Sequence, residues 1–172
     1  MDVGRLLKLG FMGKVSLDAS VKGHGFDAAT ASVDVDGTVK AIELNGYNYH
    51  NLKVDGNLQA KKFDGQLSAR DPNLVMDFDG KIDFTGEEPL FQVYAKVDRA
   101  DVKALKISPD SITASAEMRL DFSGSNIDNF VGSAYIYNID ILRDSTRLNQ
   151  DSLQLTSTLS KGFKQLTLNT ND

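Results

Sequence analysis

One short phrase, repeated four times, constrains the fold of this chain more than any other feature of its sequence. The phrase is an apolar residue, Asp, Gly, a polar residue and an apolar residue, and its copies occupy residues 35–39, 54–58, 63–67 and 78–82. Asp-Gly between apolar runs is ordinarily typical of a two-residue hairpin. A hairpin at Asp55-Gly56 would, however, pair Val54 with Asn57, so that an apolar side chain faces a polar one. The other copies give the same mismatch, and the phrase therefore does not predict a turn.

A strand that runs straight through the phrase removes this mismatch. Residues two apart share a face of a strand, so the glycine of each copy, such as Gly56, would occupy a position on the apolar face. The Asn-Gly pair at 45–46 gives the opposite result, because the hairpin pairing there sets Leu44 opposite Tyr47, apolar against apolar. The sequence therefore predicts long strands with glycine in apolar positions, and a hairpin turn at 45–46.

The same alternation recurs along the chain and predicts an all-β fold of roughly ten strands. No stretch of ten or more residues has a helical period, and only 98–105 and 125–130 are expected to form single helical turns. The strands have one apolar and one charged face, yet no helix is predicted to cover the apolar one. Such strands close into a sandwich or barrel, or curl around the apolar face. Glycines in apolar positions of consecutive strands favour a curled, antiparallel-rich sheet without long helices.

Composition excludes several classes of function. The 172 residues suit one domain with a substantial core, and we interpret residues 1–172 as a segment of a longer repetitive protein. The net charge of −5, with both signs interspersed, provides no basic patch for nucleic acid. The chain has no cysteine, which excludes thiolate metal sites and cysteine nucleophiles.

No group of residues predicts catalysis, a metal site or a cofactor. His24, expected in a glycine-rich loop, and His50 have no partners at the spacing of a catalytic triad or a metal site. Residues 34–37 carry only part of a calcium-loop pattern, without its remaining ligands. We therefore expect a protein that is not an enzyme, with both histidines on its surface.

The repeated phrase, together with residues 47–56, resembles the periplasmic domains of TamB and AsmA-like proteins, in particular those of Bacteroidota. The Asp-Pro-Asn-Leu turn at 71–74 and the Ala-Asp-Val-x-x-Leu element at 100–105 are also similar to that family. The resemblance implies a β-taco, which is a long sheet folded along its length around an open hydrophobic groove.

The resemblance also implies a function and a place for it. The chain would be a segment of a bridge across the periplasm of a diderm bacterium, carrying phospholipid acyl chains between the inner and outer membranes and supporting outer-membrane assembly. The full-length protein would be anchored in the inner membrane and would pair with an outer-membrane barrel of the Omp85 type.

The residues expected to line the groove are the apolar positions and glycines of the central strands. They are Leu52, Val54, Gly56, Leu58, Phe63, Gly65, Leu67, Leu74, Met76, Phe78, Gly80, Ile82, Phe84, Val93, Ala95, Met118 and Leu120. One alternative is a structural or adhesive β-solenoid whose core is filled by these side chains. Another is a transmembrane barrel, whose strands also alternate, although a mean hydropathy of −0.27 and the absence of tryptophan argue against it.

Overall fold

The computed structural model describes residues 12–24, 32–125, 128–160 and 163–171, and within these ranges all regular structure is β-strand. The ten strands are β1 Met12–His24, β2 Ser32–Leu44, β3 Tyr47–Gln59, β4 Lys62–Asp71, β5 Leu74–Asp83, β6 Leu90–Asp101, β7 Ile112–Ser123, β8 Val131–Arg143, β9 Thr146–Ser160 and β10 Phe163–Asn171. Each strand pairs antiparallel with its neighbours in sequence, and together they form one sheet in the order β1 to β10. The predicted all-β fold is confirmed.

The sheet is open and curls toward its apolar face. β1 and β10 form its two edges, and each described strand contacts only its neighbours in sequence, so no second layer of strands covers either face. Val39, Leu52 and Ala69 are nevertheless only 6%, 5% and 0% exposed. They are buried because larger side chains of the same face pack around them, which a flat single sheet would not allow. The predicted curled sheet is confirmed.

The repeated Asp-Gly phrase lies in strand interiors, as its side-chain pattern predicts. Its four copies belong to β2, β3, β4 and β5. Asn45 and Gly46, by contrast, form the turn between β2 and β3, with φ angles of 50° and 76°. Two successive positive φ angles are typical of the type I′ hairpin turn. The pairing of apolar with apolar residues therefore separates turns from strands correctly in this chain.

Two irregularities keep the apolar residues of the long strands on one side. The pairing of β1 with β2 shifts register at Lys40, because Ser16 pairs with Ala41 and Leu17 pairs with Val39, which corresponds to a β-bulge. In β3, Asn51 adopts a φ of 54°. His50 and Asn51 are both exposed as a result, and the next residue, Leu52, returns to the apolar face.

The helical turn expected at 98–105 is shorter than predicted. Residues 98–101 belong to β6, because pairing with β7 resumes after a bulge and extends the strand to Asp101. A single turn then follows, in which the Leu105 N–H donates to the Asp101 carbonyl at 3.0 Å. The Asp101 carboxylate caps this turn by accepting the Ala104 N–H at 2.9 Å.

The prediction that His24 lies in a loop was wrong. The helical turn predicted at 125–130 lies only partly within the described residues. His24 is the last residue of β1 and not a loop residue, because it pairs with Ser32 at the start of β2. Of the turn expected at 125–130, residues 126–127 lie outside the described residues.

Candidate functional site

The pairing registers align the apolar positions of successive strands into rows that cross the sheet. The central row is Val35, Gly56, Gly65, Gly80, Val93, Leu120, Ala134, Leu155 and Leu168. The aromatic row beside it is Val33, Leu58, Phe63, Ile82, Phe91, Phe122, Gly132, Ser157 and Leu166. The aliphatic row on the other side is Gly37, Val54, Leu67, Phe78, Ala95, Met118, Ile136, Leu153 and Thr170.

These rows contain most of the residues predicted to line the groove. Leu52 and Met76 lie in the next row out, and Leu74 lies one position beyond it, opposite the last residue of β4. Phe84 follows β5 rather than belonging to it, and its ring contacts that of Phe91 with centroids 6.2 Å apart. The structure therefore brings the predicted set together on one face of the sheet.

Three glycines stand side by side in the central row, in β3, β4 and β5. A Cβ atom on Gly65 would lie 2.5 Å from the Cα atom of Gly56, and one on Gly80 would lie 2.8 Å from the Cα atom of Val93. The backbones approach too closely here for any side chain, which is a requirement that only glycine meets. The three glycines therefore contribute no side chains of their own to the apolar face, and the ring of Phe63 lies beside Gly56.

Most large side chains of the concave face are half-buried rather than buried. Leu58, Leu67, Ile82 and Leu120 all retain partial exposure. A filled core would bury such side chains almost completely. Among the described strands, the buried apolar residues form a small group: Val39, Leu52, Ala69, Val93, Ala95 and Ala134. The concave face is thus an apolar surface that remains accessible to solvent.

Phenylalanine rings form two separate clusters on the concave face. The Phe91 ring stacks on that of Phe122 with centroids 4.9 Å apart, and Phe122 contacts Phe130 at 4.8 Å. The second cluster joins Phe63 of the aromatic row to Phe78 of the aliphatic row, with ring centroids 6.1 Å apart. Aromatic rings bury large areas, so these clusters present a large apolar contact surface.

The apolar face ends at a buried charged group, Asp71. This residue is 2% exposed, and its carboxylate accepts the Tyr47 O–H at 2.6 Å and the N–H groups of His50 and Asn73, each at 2.8 Å. Burial alone would raise the pKa of Asp71, but these hydrogen bonds outweigh it, and the pKa is lowered. Burial, together with the bond to the carboxylate, raises the pKa of Tyr47. The sequence predicted only a turn at this position.

The helical turn after β6 contacts the β2–β3 turn, which lies at the same end of the strands but several strands away in the sheet. Leu105 is 1% exposed, and the Lys106 ammonium donates to the Gly46 carbonyl in the β2–β3 turn. In a flat sheet, β3 and β6 would be separated by about 14 Å. The contact between their ends is possible because the sheet curls and the lysine side chain is long.

The convex face is polar, and its charged groups pair with one another. Lys81 lies 2.8 Å from Asp64, and the Tyr94 O–H donates to Glu117 at 2.9 Å, a bond that raises the pKa of Tyr94 to about 12.

Residues 34–37, which partly match a calcium loop, lie inside β2. Among the described residues, no three His, Asp or Glu side chains are grouped so as to hold a metal ion. The described part of the chain contains no helix with the length and apolar character needed to cross a membrane.

The rows extend beyond the residues that the sequence singled out. Ala134, Leu155 and Leu168 continue the central row into β8, β9 and β10. Alternation within these strands was visible in the sequence, but their register against the central strands was not.

Comparisons of the chain with protein-family models, with curated proteins and with solved structures found no match.

Proposed function

We propose that this chain is a lipid-conducting segment whose concave face holds phospholipid acyl chains. One observation carries the proposal: apolar rows cross the sheet from β2 to β10, many of their large side chains remain half-exposed, and no second layer of strands covers them in the described part of the chain. Large continuous apolar surfaces in contact with water are typical of binding sites for ligands or partners. An extended acyl chain matches a long, narrow and unbranched apolar track.

The physical chemistry of the groove suits movement as well as binding. Each methylene group removed from water contributes about 0.8 kcal/mol, and this gain has no preferred direction. Because the same rows repeat from strand to strand, a chain that shifts by one strand spacing finds similar surroundings. Gly56, Gly65 and Gly80 add no side chains of their own to this face, so the central row is less bulky in β3, β4 and β5 than in the strands that follow.

The resemblance to TamB and AsmA-like domains supports the biological setting of the proposal. In that setting the groove is part of a bridge through the periplasm, between the inner membrane that anchors the full-length protein and an Omp85-type barrel in the outer membrane. The paired charges of the convex face keep such a bridge hydrated in an aqueous compartment. The proposal involves no catalytic step.

Native mass spectrometry of the purified chain tests whether the groove carries lipid. We expect additional mass that corresponds to phospholipid, and uptake of a fluorescent fatty acid that added phospholipid displaces. A chain that is free of lipid and rejects the fatty acid would overturn the proposal and leave the filled-core scaffold as the better account.

Charged substitutions test where the lipid lies. A photo-reactive fatty acid should cross-link to the chain, and Leu58→Asp or Ile82→Asp should lower the yield roughly tenfold, since each places a charge in the aromatic row. Gln92→Asp is the matched control because Gln92 is exposed and lies on the convex face beside Phe91. Far-UV circular dichroism must show that each variant keeps its strands. Unchanged cross-linking in the two concave-face variants would refute the assigned path.

A further inference from the structure

The convex face of β6 to β8 carries a group of tyrosines beside an arginine. Tyr94 in β6, Arg119 in β7 and Tyr135 in β8 lie opposite one another in one row. The Arg119 guanidinium lies over the Tyr94 ring, 6.0 Å from its centroid, and the Tyr135 ring stacks on that of Tyr137 with centroids 5.4 Å apart. Tyr94 and Tyr135 are 39% and 41% exposed. We call these four residues the tyrosine platform, and exposed aromatic groups of this kind are typical of binding surfaces.

Hydrogen bonds to one carboxylate hold the tyrosine platform in place. Glu117 lies on the same face of β7 as Arg119, because residues two apart share a face of a strand. Its carboxylate accepts the Tyr94 O–H from β6 at 2.9 Å and the side-chain amide of Asn138 from β8 at 3.1 Å. Side chains that are already fixed lose little conformational entropy when a ligand binds to them. The platform is therefore prepared for contact with a rigid partner.

A cleft of about 270 Å³ lies beside the tyrosine platform. It occurs where two strand pairings are irregular, since β6 shifts against β7 between Val97 and Ala100, and β7 shifts against β8 between Ser115 and Glu117. Bulges of this kind redirect side chains and are frequent beside functional sites. The polar lining of the cleft consists of two carboxylates, two guanidinium groups and two hydroxyl groups, which belong to Asp98, Asp140, Arg99, Arg147, Thr113 and Ser115. The two hydroxyl residues share the convex face of β7 with Arg119, so the cleft and the platform form one surface.

The charges of the cleft favour a neutral ligand that carries hydroxyl groups. Its two carboxylates and two guanidinium groups balance, so the cleft attracts neither an anion nor a cation overall. Arg147 and Asp140 are already paired, with Nε donating to the carboxylate at 2.8 Å, which fixes both groups. Carboxylates only accept hydrogen bonds and guanidinium groups only donate them. A ligand that meets both kinds of group must donate and accept at closely spaced positions, as hydroxyl groups do.

We propose that the tyrosine platform and this cleft together bind a neutral saccharide chain. A sugar ring has a face of C–H groups that packs on an aromatic ring, and a rim of hydroxyl groups that both donate and accept hydrogen bonds. The platform matches the first feature and the cleft matches the second. From Arg119 to Thr113 the surface extends about 20 Å along β7, which accommodates several rings in a row. Chains of β-1,4-linked sugars of the glucose type fit best, because their equatorial hydroxyl groups leave both faces of each ring apolar.

Titration of the ¹⁵N-labelled chain with cellotriose and with chitotriose, followed by NMR, tests the site. The amide signals that shift should belong to the convex-face residues of β6 to β9, including Tyr94, Ser115 and Tyr135. Tri-serine with blocked termini is the control ligand, because it carries hydroxyl and amide groups but no sugar ring, and it should cause no shifts. The proposal is overturned if neither sugar causes shifts, if the shifts lie on the concave face, or if tri-serine binds as tightly as the sugars.

Two substitutions test the two parts of the site separately. Tyr135→Thr should weaken sugar binding roughly tenfold, because it removes an exposed ring and keeps a residue suited to a strand. Ser115→Ala should weaken it roughly fivefold through the loss of one hydrogen bond. Ser68→Ala is the matched control, since Ser68 is also a half-buried serine of the convex face, in β4, and it should leave binding unchanged. Sugar affinities that are equal in all three variants would also overturn the proposal. Lipid cross-linking should stay unchanged in Tyr135→Thr, because the groove lies on the opposite face.

Discussion

Replacing Asp71 with asparagine tests how much the buried carboxylate stabilises the sheet. Three donors converge on it: the Tyr47 O–H and the N–H groups of His50 and Asn73. In the Asp71→Asn variant, the new amide oxygen would still accept two of these bonds, each about 1 kcal/mol weaker without the charge, while the third donor would face an NH₂ group and lose about 2 kcal/mol. The free energy of unfolding should therefore fall by about 3–4 kcal/mol.

Urea denaturation followed by far-UV circular dichroism measures this loss. Asp77→Asn is the control, because Asp77 is half-exposed and its ion pair with Arg70, at 2.8 Å, should contribute less than about 1 kcal/mol. If Asp71→Asn costs no more than this control, the carboxylate does not stabilise the fold and the reasoning is refuted.

The dependence of the free energy of unfolding on pH in the acid range gives an independent test of the same carboxylate. The folded pKa of Asp71 is lowered relative to the unfolded value, which lies near about 3.9. Its contribution is therefore fully present above that unfolded value, and it is lost as the pH falls through the lower, folded pKa. The Asp71→Asn variant lacks this titration, so its stability should decline less steeply than that of the parent chain below about pH 4.

Three further substitutions test separate parts of the fold, each by urea denaturation. Gly65→Ala should cost about 1–3 kcal/mol because its Cβ would lie 2.5 Å from the Cα atom of Gly56; a neutral result would show that the strands can separate freely there. Lys61→Gly should raise the free energy of unfolding by about 0.5–1 kcal/mol, because Lys61 adopts a φ of 67° in the β3–β4 turn. A lower free energy of unfolding would contradict this. Leu105→Ala should cost about 2–4 kcal/mol, whereas Ile107→Ala, at a position 68% exposed, should change stability by less than about 0.5 kcal/mol; equal effects would exclude a packing role for Leu105.

The features that could be predicted from the sequence are those fixed by near neighbours. Side-chain direction in a strand depends on a period of two residues, so the apolar face and the glycine positions can be read directly. The contrast between Asp55-Gly56 and Asn45-Gly46 also depends on residues only a few positions away. Both assignments are confirmed by β3 and by the turn that precedes it.

The features that could not be predicted depend on pairing across many residues. Tyr47 and Asp71 are 24 residues apart and meet only because β3 and β4 pair in one particular register. The Asp-Pro-Asn sequence at 71–73 did predict a turn, but nothing in the sequence placed Tyr47 beside Asp71. The extension of β6 to Asp101 likewise results from pairing with β7, which local patterns do not contain.

Alternation alone cannot distinguish an open groove from a filled core, because both need the same apolar face. The distinction depends on what lies opposite that face, and in the described residues no second layer of strands does. The half-exposure of Leu58 and Ile82 then has a physical consequence: some apolar partner lowers the free energy by covering them. The backbone groups of the central strands are paired within the sheet, so the partner that fits this face is an acyl chain rather than another strand. Replacing Ile82 with aspartate should therefore lower lipid cross-linking, whereas the same replacement at Gln92 on the convex face should leave it unchanged.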